Sequence, residues 1–144
     1  MFAAAMLAFS PLNAAMAAGV SNTEIVEILT AQGYNAQNNG AGQIVVDASG
    51  FRIYIWTAGA DSDISYVTLL PGVTEDNVSY KILNKFNNDV KFGRAFADSD
   101  GDIRLQMDRN SGGGVSADNI ESDFYVFLML IEKFMSDLES QRIA

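Results

Sequence analysis

Three stretches repeat one six-residue arrangement of apolar and polar positions: Val20-Ser21-Asn22-Thr23-Glu24-Ile25, Val73-Thr74-Glu75-Asp76-Asn77-Val78 and Val115-Ser116-Ala117-Asp118-Asn119-Ile120. Each places a hydroxyl where it can cap a helix, with one apolar residue just before it and another four positions after it. That is a hydrophobic staple closed over a hydrogen-bonding cap, so the chain is predicted to start a helix at each. Glu24 completes a capping box in the first, and acidic residues in each first turn suit the positive end of the helix dipole. The first helix carries Ile25, Ile28 and Leu29 on one face and stops near Gly33. The second places Val78, Ile82 and Phe86 at four-residue steps and ends at Asn87-Asn88. The third runs from Ala117 to around Ser140, striped by Ile120, Phe124, Phe127, Leu128, Ile131, Met135 and Leu138. Its centre, residues 124–131, is apolar all round, which predicts a helix sandwiched between layers or shared with another chain.

Between the helices lie short β-branched or aromatic runs bounded by Gly, Asn, Asp and Pro: residues 43–47, 51–57 and 64–70, then 91–98 and 102–108. The predicted order is α-βββ-α-ββ-α, an α+β fold with an antiparallel sheet and helices packed on it. No linker divides the chain, and 144 residues suit a single core.

Composition narrows the chemistry. A net charge of -9 repels phosphate backbones and anionic lipid, so nucleic acid is excluded as the expected partner. With no histidine and no cysteine, Ser-His-Asp and Cys-His relays and the common zinc and haem ligand sets are unavailable. Carboxylates, Lys, Tyr and Ser remain as catalytic options, with a hydrolase using Asp or Glu pairs the weakest reading. No constellation of them stands out, so the reading is non-enzymatic and without a cofactor. Residues 1–17 are small and apolar and end in Ala15-Met16-Ala17, a small-x-small pattern. They read as a secretory signal peptide, leaving a single domain over residues 18–144 in the periplasm or outside the cell. Polar breaks within them leave no membrane span.

Two segments invite a chemical reading. Asp98-Ser99-Asp100-Gly101-Asp102 fails the EF-hand pattern, because glycine falls at its fourth position and Arg109 at its twelfth. A two-residue turn with Asp100-Gly101 at the tip fits instead. Asp98 then faces Ile103, and Phe92, Phe96, Ile103, Leu105 and Met107 line the core. The alternative is a weak surface calcium site at Asp98, Asp100 and Asp102. Residues 51–57 alternate, with Phe51, Ile53 and Ile55 on one side and Arg52, Tyr54 and Trp56 on the other. The second side reads first as packing under a helix; the functional alternative is an aromatic face for a partner peptide or a small apolar ligand. Asp61 and Asp63 read as solvated loop charges, and Ser111-Gly112-Gly113-Gly114, lacking the GK[ST] signature, reads as a connection.

The motifs Asn84-Lys-Phe-Asn87, Phe92-Gly-Arg-Ala-Phe96, Asp98-Ser-Asp-Gly-Asp102 and Gly113-Gly-Val-Ser116, followed by a long Phe-rich helix, together resemble the YbjN-domain family of bacterial proteins. The resemblance implies a fold similar to that of type III secretion chaperones, which often dimerise and bind other polypeptides without catalysis. It also implies a role in regulating sensory transduction, and it brings no enzymatic residues to carry over. The expectation is an exported, chaperone-like, protein-binding module, as a homodimer joined through the third helix. Arg52, Tyr54 and Trp56 on the sheet, and Tyr125 and Met129 on that helix, are its candidate partner contacts. The alternative function is a sensor binding a small apolar ligand against Tyr54 and Trp56, or a weakly calcium-binding surface protein.

Overall fold

The computed structural model describes residues 19–142, so the predicted signal peptide at residues 1–17 lies outside the described residues. The elements follow as α1 (Asn22–Ala31), β1 (Asn35–Asn38), β2 (Ile44–Ala48), β3 (Phe51–Ala58), β4 (Asp63–Thr74), α2 (Tyr80–Asp89), β5 (Gly93–Ala97), β6 (Asp102–Arg109) and α3 (Ala117–Arg142). The strands form one antiparallel six-stranded sheet in the order β1-β2-β3-β4-β6-β5. The α+β class and the alternation of helices and strands are as predicted, with one strand added. β1 is a polar run, Asn-Ala-Gln-Asn, held on the edge by pairing with β2 and burying Ala36. A polar edge strand carries no hydrophobic alternation to announce it.

The first and third caps form as the pattern requires. Glu24 N–H donates to Ser21 Oγ at 3.3 Å while Ser21 N–H donates to Glu24 Oε2 at 2.8 Å, a reciprocal capping box. Asn119 closes the same box on Ser116, its N–H donating to Ser116 Oγ at 3.2 Å. The second does not start a helix. Thr74 is the last residue of β4, still paired with Asp102, and its N–H donates to Asn77 Oδ1. Asn77 N–H in turn donates to the Thr74 carbonyl, so the segment closes as a turn, and α2 begins only after Ser79. The competing partner is the neighbouring strand, which the local pattern does not contain.

Inward residues of the sheet meet all three helices in one core that includes Ile25, Leu29, Ile44, Ile53, Ile55, Ile64, Tyr66, Leu105, Phe86, Phe124, Phe127 and Phe134. α3 crosses this core with three aromatic contacts. Phe124 meets Tyr34 at 4.6 Å, Phe127 meets Tyr66 at 6.0 Å and Phe134 meets Phe86 at 5.0 Å, centroid to centroid.

The β5–β6 hairpin forms, but one residue out of the expected register. Ala95 lies opposite Leu105, Phe96 opposite Arg104 and Ala97 opposite Ile103. The loop holds three residues, with Asp98 N–H donating to the Asp102 carbonyl and Gly101 left-handed at φ 83°, as in a type I turn closed by a glycine bulge. One residue of slip turns every β5 side chain over. Phe96 consequently sits on the outer face while Gly93 and Ala95 face inward, and Phe92, just before the strand with a left-handed φ of 70°, is 75% exposed. Packing favours this arrangement, because Leu130 of α3 lies against Gly93, where a Cβ would stand 2.5 Å from Leu130 Cδ1. Only the smallest side chains let the helices approach this edge of the sheet.

Candidate functional site

The outer face of the sheet carries the sequence-predicted trio. Ile53 and Ile55 enter the core, so Arg52, Tyr54 and Trp56 project to the other side. The expected cover does not appear: the helices of the described residues pack on the inward face, leaving Tyr54 and Trp56 half-buried and Arg52 exposed. Register extends this face across the sheet. Tyr54 lies between Val45 and Val67, Arg52 lies opposite Asp47, and Arg104 lies between Leu69 and Phe96. Val45, Tyr54, Val67 and Leu69 thus form an apolar area that reading β3 alone did not reveal, with Phe96 set beyond Arg104. Phe96 was missed through the register slip; Val67 and Leu69 needed the β4 pairings.

Charge on this face is balanced although the whole chain carries -9. Arg52 chelates Asp47 at 2.9 and 3.2 Å, and Arg104 donates to Asp98 at 2.5 Å. Arg94 donates to Gln106 at 3.0 Å and lies over the Phe96 ring at 5.1 Å. The hydrogen bond from Arg52 holds the Asp47 carboxyl below the usual carboxylate range.

The acidic turn is occupied by its own chain. Asp98 Oδ1 accepts the N–H groups of Asp100 and Asp102, at 2.9 and 3.1 Å, while Oδ2 takes Arg104. The Arg104 bond, and after it the two backbone bonds, hold the Asp98 carboxyl below its ordinary range against the opposing effect of desolvation. Asp98 therefore organises the turn that the calcium alternative would make a ligand.

A folded-state pKa below the unfolded one means that stability from Asp98 is fully present above about pH 4 to 5 and is lost as pH falls through the folded value. Asp98→Asn is accordingly expected to flatten the acid limb of a stability-versus-pH curve recorded by urea melts. Parallel curves for the variant and the natural chain would show that this carboxylate contributes nothing there.

Tyr125 and Met129 lie elsewhere. They are 61% and 48% exposed on the outer flank of α3, on the layer opposite the open sheet face, so the five predicted contacts make two surfaces instead of one. Most of the helix's apolar excess is used inside the chain, since Phe124, Phe127, Leu130 and Ile131 are buried in the core. What remains outside lines a groove of about 830 Å³ with Tyr34, Ser49 and Phe51 on its far wall. A smaller cavity of about 350 Å³ is bordered by Phe92, Met107, Val126 and the ion pair between Arg109 and Asp123. Asp63, one of the two loop carboxylates, accepts the Ser111 N–H at 2.8 Å and so ties β4 to the glycine-rich connection.

Among the described residues the chain is a two-layer protein, an antiparallel sheet backed on one face by three helices. The family model YbjN, described as "Putative bacterial sensory transduction regulator", matches residues 21–140, and the chain belongs to this family. A crystal structure of YbjN from E. coli, itself described as "a putative transcription regulator", shares the fold with a TM-score of 0.60 at 16% identity. The match covers 81% of this chain and 87% of that one. No curated protein matches the sequence. Among the described residues, no helix is long and apolar enough to cross a membrane.

Proposed function

We propose that this chain is an exported, non-enzymatic regulatory module that works by holding a polypeptide partner against the open face of its sheet. The observation that carries the reading is the area formed by Val45, Tyr54, Val67 and Leu69, flanked by Trp56 and bordered by paired arginines, with Phe96 beyond Arg104, on an otherwise acidic protein. Aromatic and arginine side chains in such a setting supply most of the energy of typical protein interfaces. Balanced charge lets a partner approach without the repulsion that the rest of the surface exerts on acidic proteins. An extended sheet surface suits a polypeptide better than a small apolar ligand, which needs a concave site to bury most of its area. Membership of a family of regulators agrees with a role through binding.

Photo-cross-linkers placed in the full chain at positions 54 and 56, expressed in the native cells, test this directly. One polypeptide recovered in stoichiometric yield from both positions, and not from a cross-linker at exposed Glu27, is the expected result. The bait is expected in an exported fraction with its N-terminus near residue 18. Recovery of the uncross-linked bait from both face positions would overturn the reading of the sheet, and bait retaining residues 1–17 in the cytoplasm would overturn export.

A further inference from the structure

α3 bears a second stripe beside the one that fills the core. Tyr125, Met129, Glu132, Ser136 and Glu139 follow one another at alternating steps of four and three residues, with Leu128 and Met135 on the adjacent row. This is the spacing by which one helix receives another along its length. Phe51 at the end of the β2–β3 hairpin raises the opposite wall, so the stripe forms the floor of a trough and not a bare ridge. The lining spans residues 125–139, about 21 Å of helix axis, longer than a small ligand fills.

Charge selects the occupant. Glu132 and Glu139 are both exposed in the groove, two turns or about 10.5 Å apart. Among the described side chains the ion pairs of α3 join Lys133 with Asp137 and Asp123 with Arg109. A second copy laid along this stripe would bring the same glutamates and a further charge of -9 against it, and anionic lipid would be repelled likewise. Two methionines in the floor adapt to differently shaped apolar side chains.

We infer that the groove along α3 takes an amphipathic helical segment of another polypeptide, carrying two basic residues seven positions apart and, beyond one of them on the same face, an apolar pair. The basic residues meet Glu132 and Glu139, on either side of Met135, while the apolar pair enters between Tyr125, Met129 and Phe51. The inference rests on reading the chain as a polypeptide-binding module but uses a surface separate from the open sheet face, so each can fail alone.

The probe is a fluorescent amphipathic peptide of about 21 residues with leucines along one face and lysines seven apart, compared with its glutamate-substituted twin. Anisotropy titrations use the purified full chain. Saturable binding of the lysine peptide is expected, weakened about tenfold or more by Met129→Asp, whose exposed position leaves the fold intact as checked by circular dichroism. The double variant Glu132→Lys/Glu139→Lys is expected to invert the preference toward the glutamate peptide by about tenfold. Glu27→Lys/Asp76→Lys changes net charge equally at exposed residues that do not line the groove and is expected to leave binding nearly unchanged. Equal affinity for the two peptides, insensitivity to Met129→Asp, or an equal loss in the remote variant would each overturn the proposal. So would a doubled mass in light scattering that Met129→Asp abolishes, which would assign the groove to a second copy. Loss of cross-links at positions 54 and 56 with peptide binding retained would sink only the reading of the sheet face.

Discussion

Phe127→Ala is expected to lower the free energy of unfolding by about 3–5 kcal/mol, the range for deleting a large aromatic from a packed core. Phe127 is fully buried and stands midway along the aromatic row of α3, against Tyr66 on central strand β4. Its neighbours on either side are committed elsewhere, Phe124 to Tyr34 and Phe134 to Phe86, so neither can swing into the space. Desolvation keeps the Tyr66 hydroxyl protonated well above the usual tyrosine range, which makes that ring a neutral but polar wall for the cavity left behind. Since domains of this size hold only about 5–15 kcal/mol in all, the variant should sit close to unfolding at physiological temperature. Urea melts at several temperatures measure the loss, and a change below about 1 kcal/mol would mean that α3 repacks freely on the sheet. The same experiment bears on function, because the groove and the core use opposite flanks of one helix.

Asn87→Ala carries the second largest expected effect, about 2 kcal/mol for two hydrogen bonds. Asn87 reaches from α2 to edge strand β5, where its Nδ2 donates to the Ala95 carbonyl at 3.0 Å and its Oδ1 accepts the Ala95 N–H at 2.7 Å. Both free backbone groups of that edge residue are therefore taken by one side chain. This protects the strand from pairing with another chain. Hydrogen exchange is expected to accelerate at Ala95 in the variant, while Asn88→Ala, one residue further along the helix, changes stability by no more than about 0.5 kcal/mol. Uniform exchange across β5 in both variants would show that strand pairing with β6 alone holds the edge. In the sequence Asn87 reads as a helix terminator; α2 instead continues to Asp89, and the residue acts as a clamp.

Legibility varied with the range of the interaction. Ser21 with Glu24 and Ser116 with Asn119 close within four residues, and both were readable from spacing. Thr74 carried the same signature and failed, because Asp102 competed for it across the sheet. The candidate contacts followed the same rule. Alternation in residues 51–57 correctly separated Ile53 and Ile55 from Tyr54 and Trp56, yet could not say which of the two sides a helix would cover. The stripe from Tyr125 to Glu139 was present as spacing, but only Phe51 across from it makes a groove.

By itself the sequence determined the α+β class, two of three helix starts, the existence of the β5–β6 hairpin, and the lack of histidine and cysteine chemistry. All of these depend on composition or on contacts a few residues long. Tertiary structure decided the rest. It turned β5 over because Gly93 and Ala95 admit Leu130 and Asn87 where phenylalanines would not fit. It also spent most of the apolar circumference of α3 on the chain's own core and placed all three helices of the described residues on one face of the sheet. Register, cover and grooves are properties of residues brought together from distant parts of the chain, and their energies appear only once those parts compete for the same neighbours.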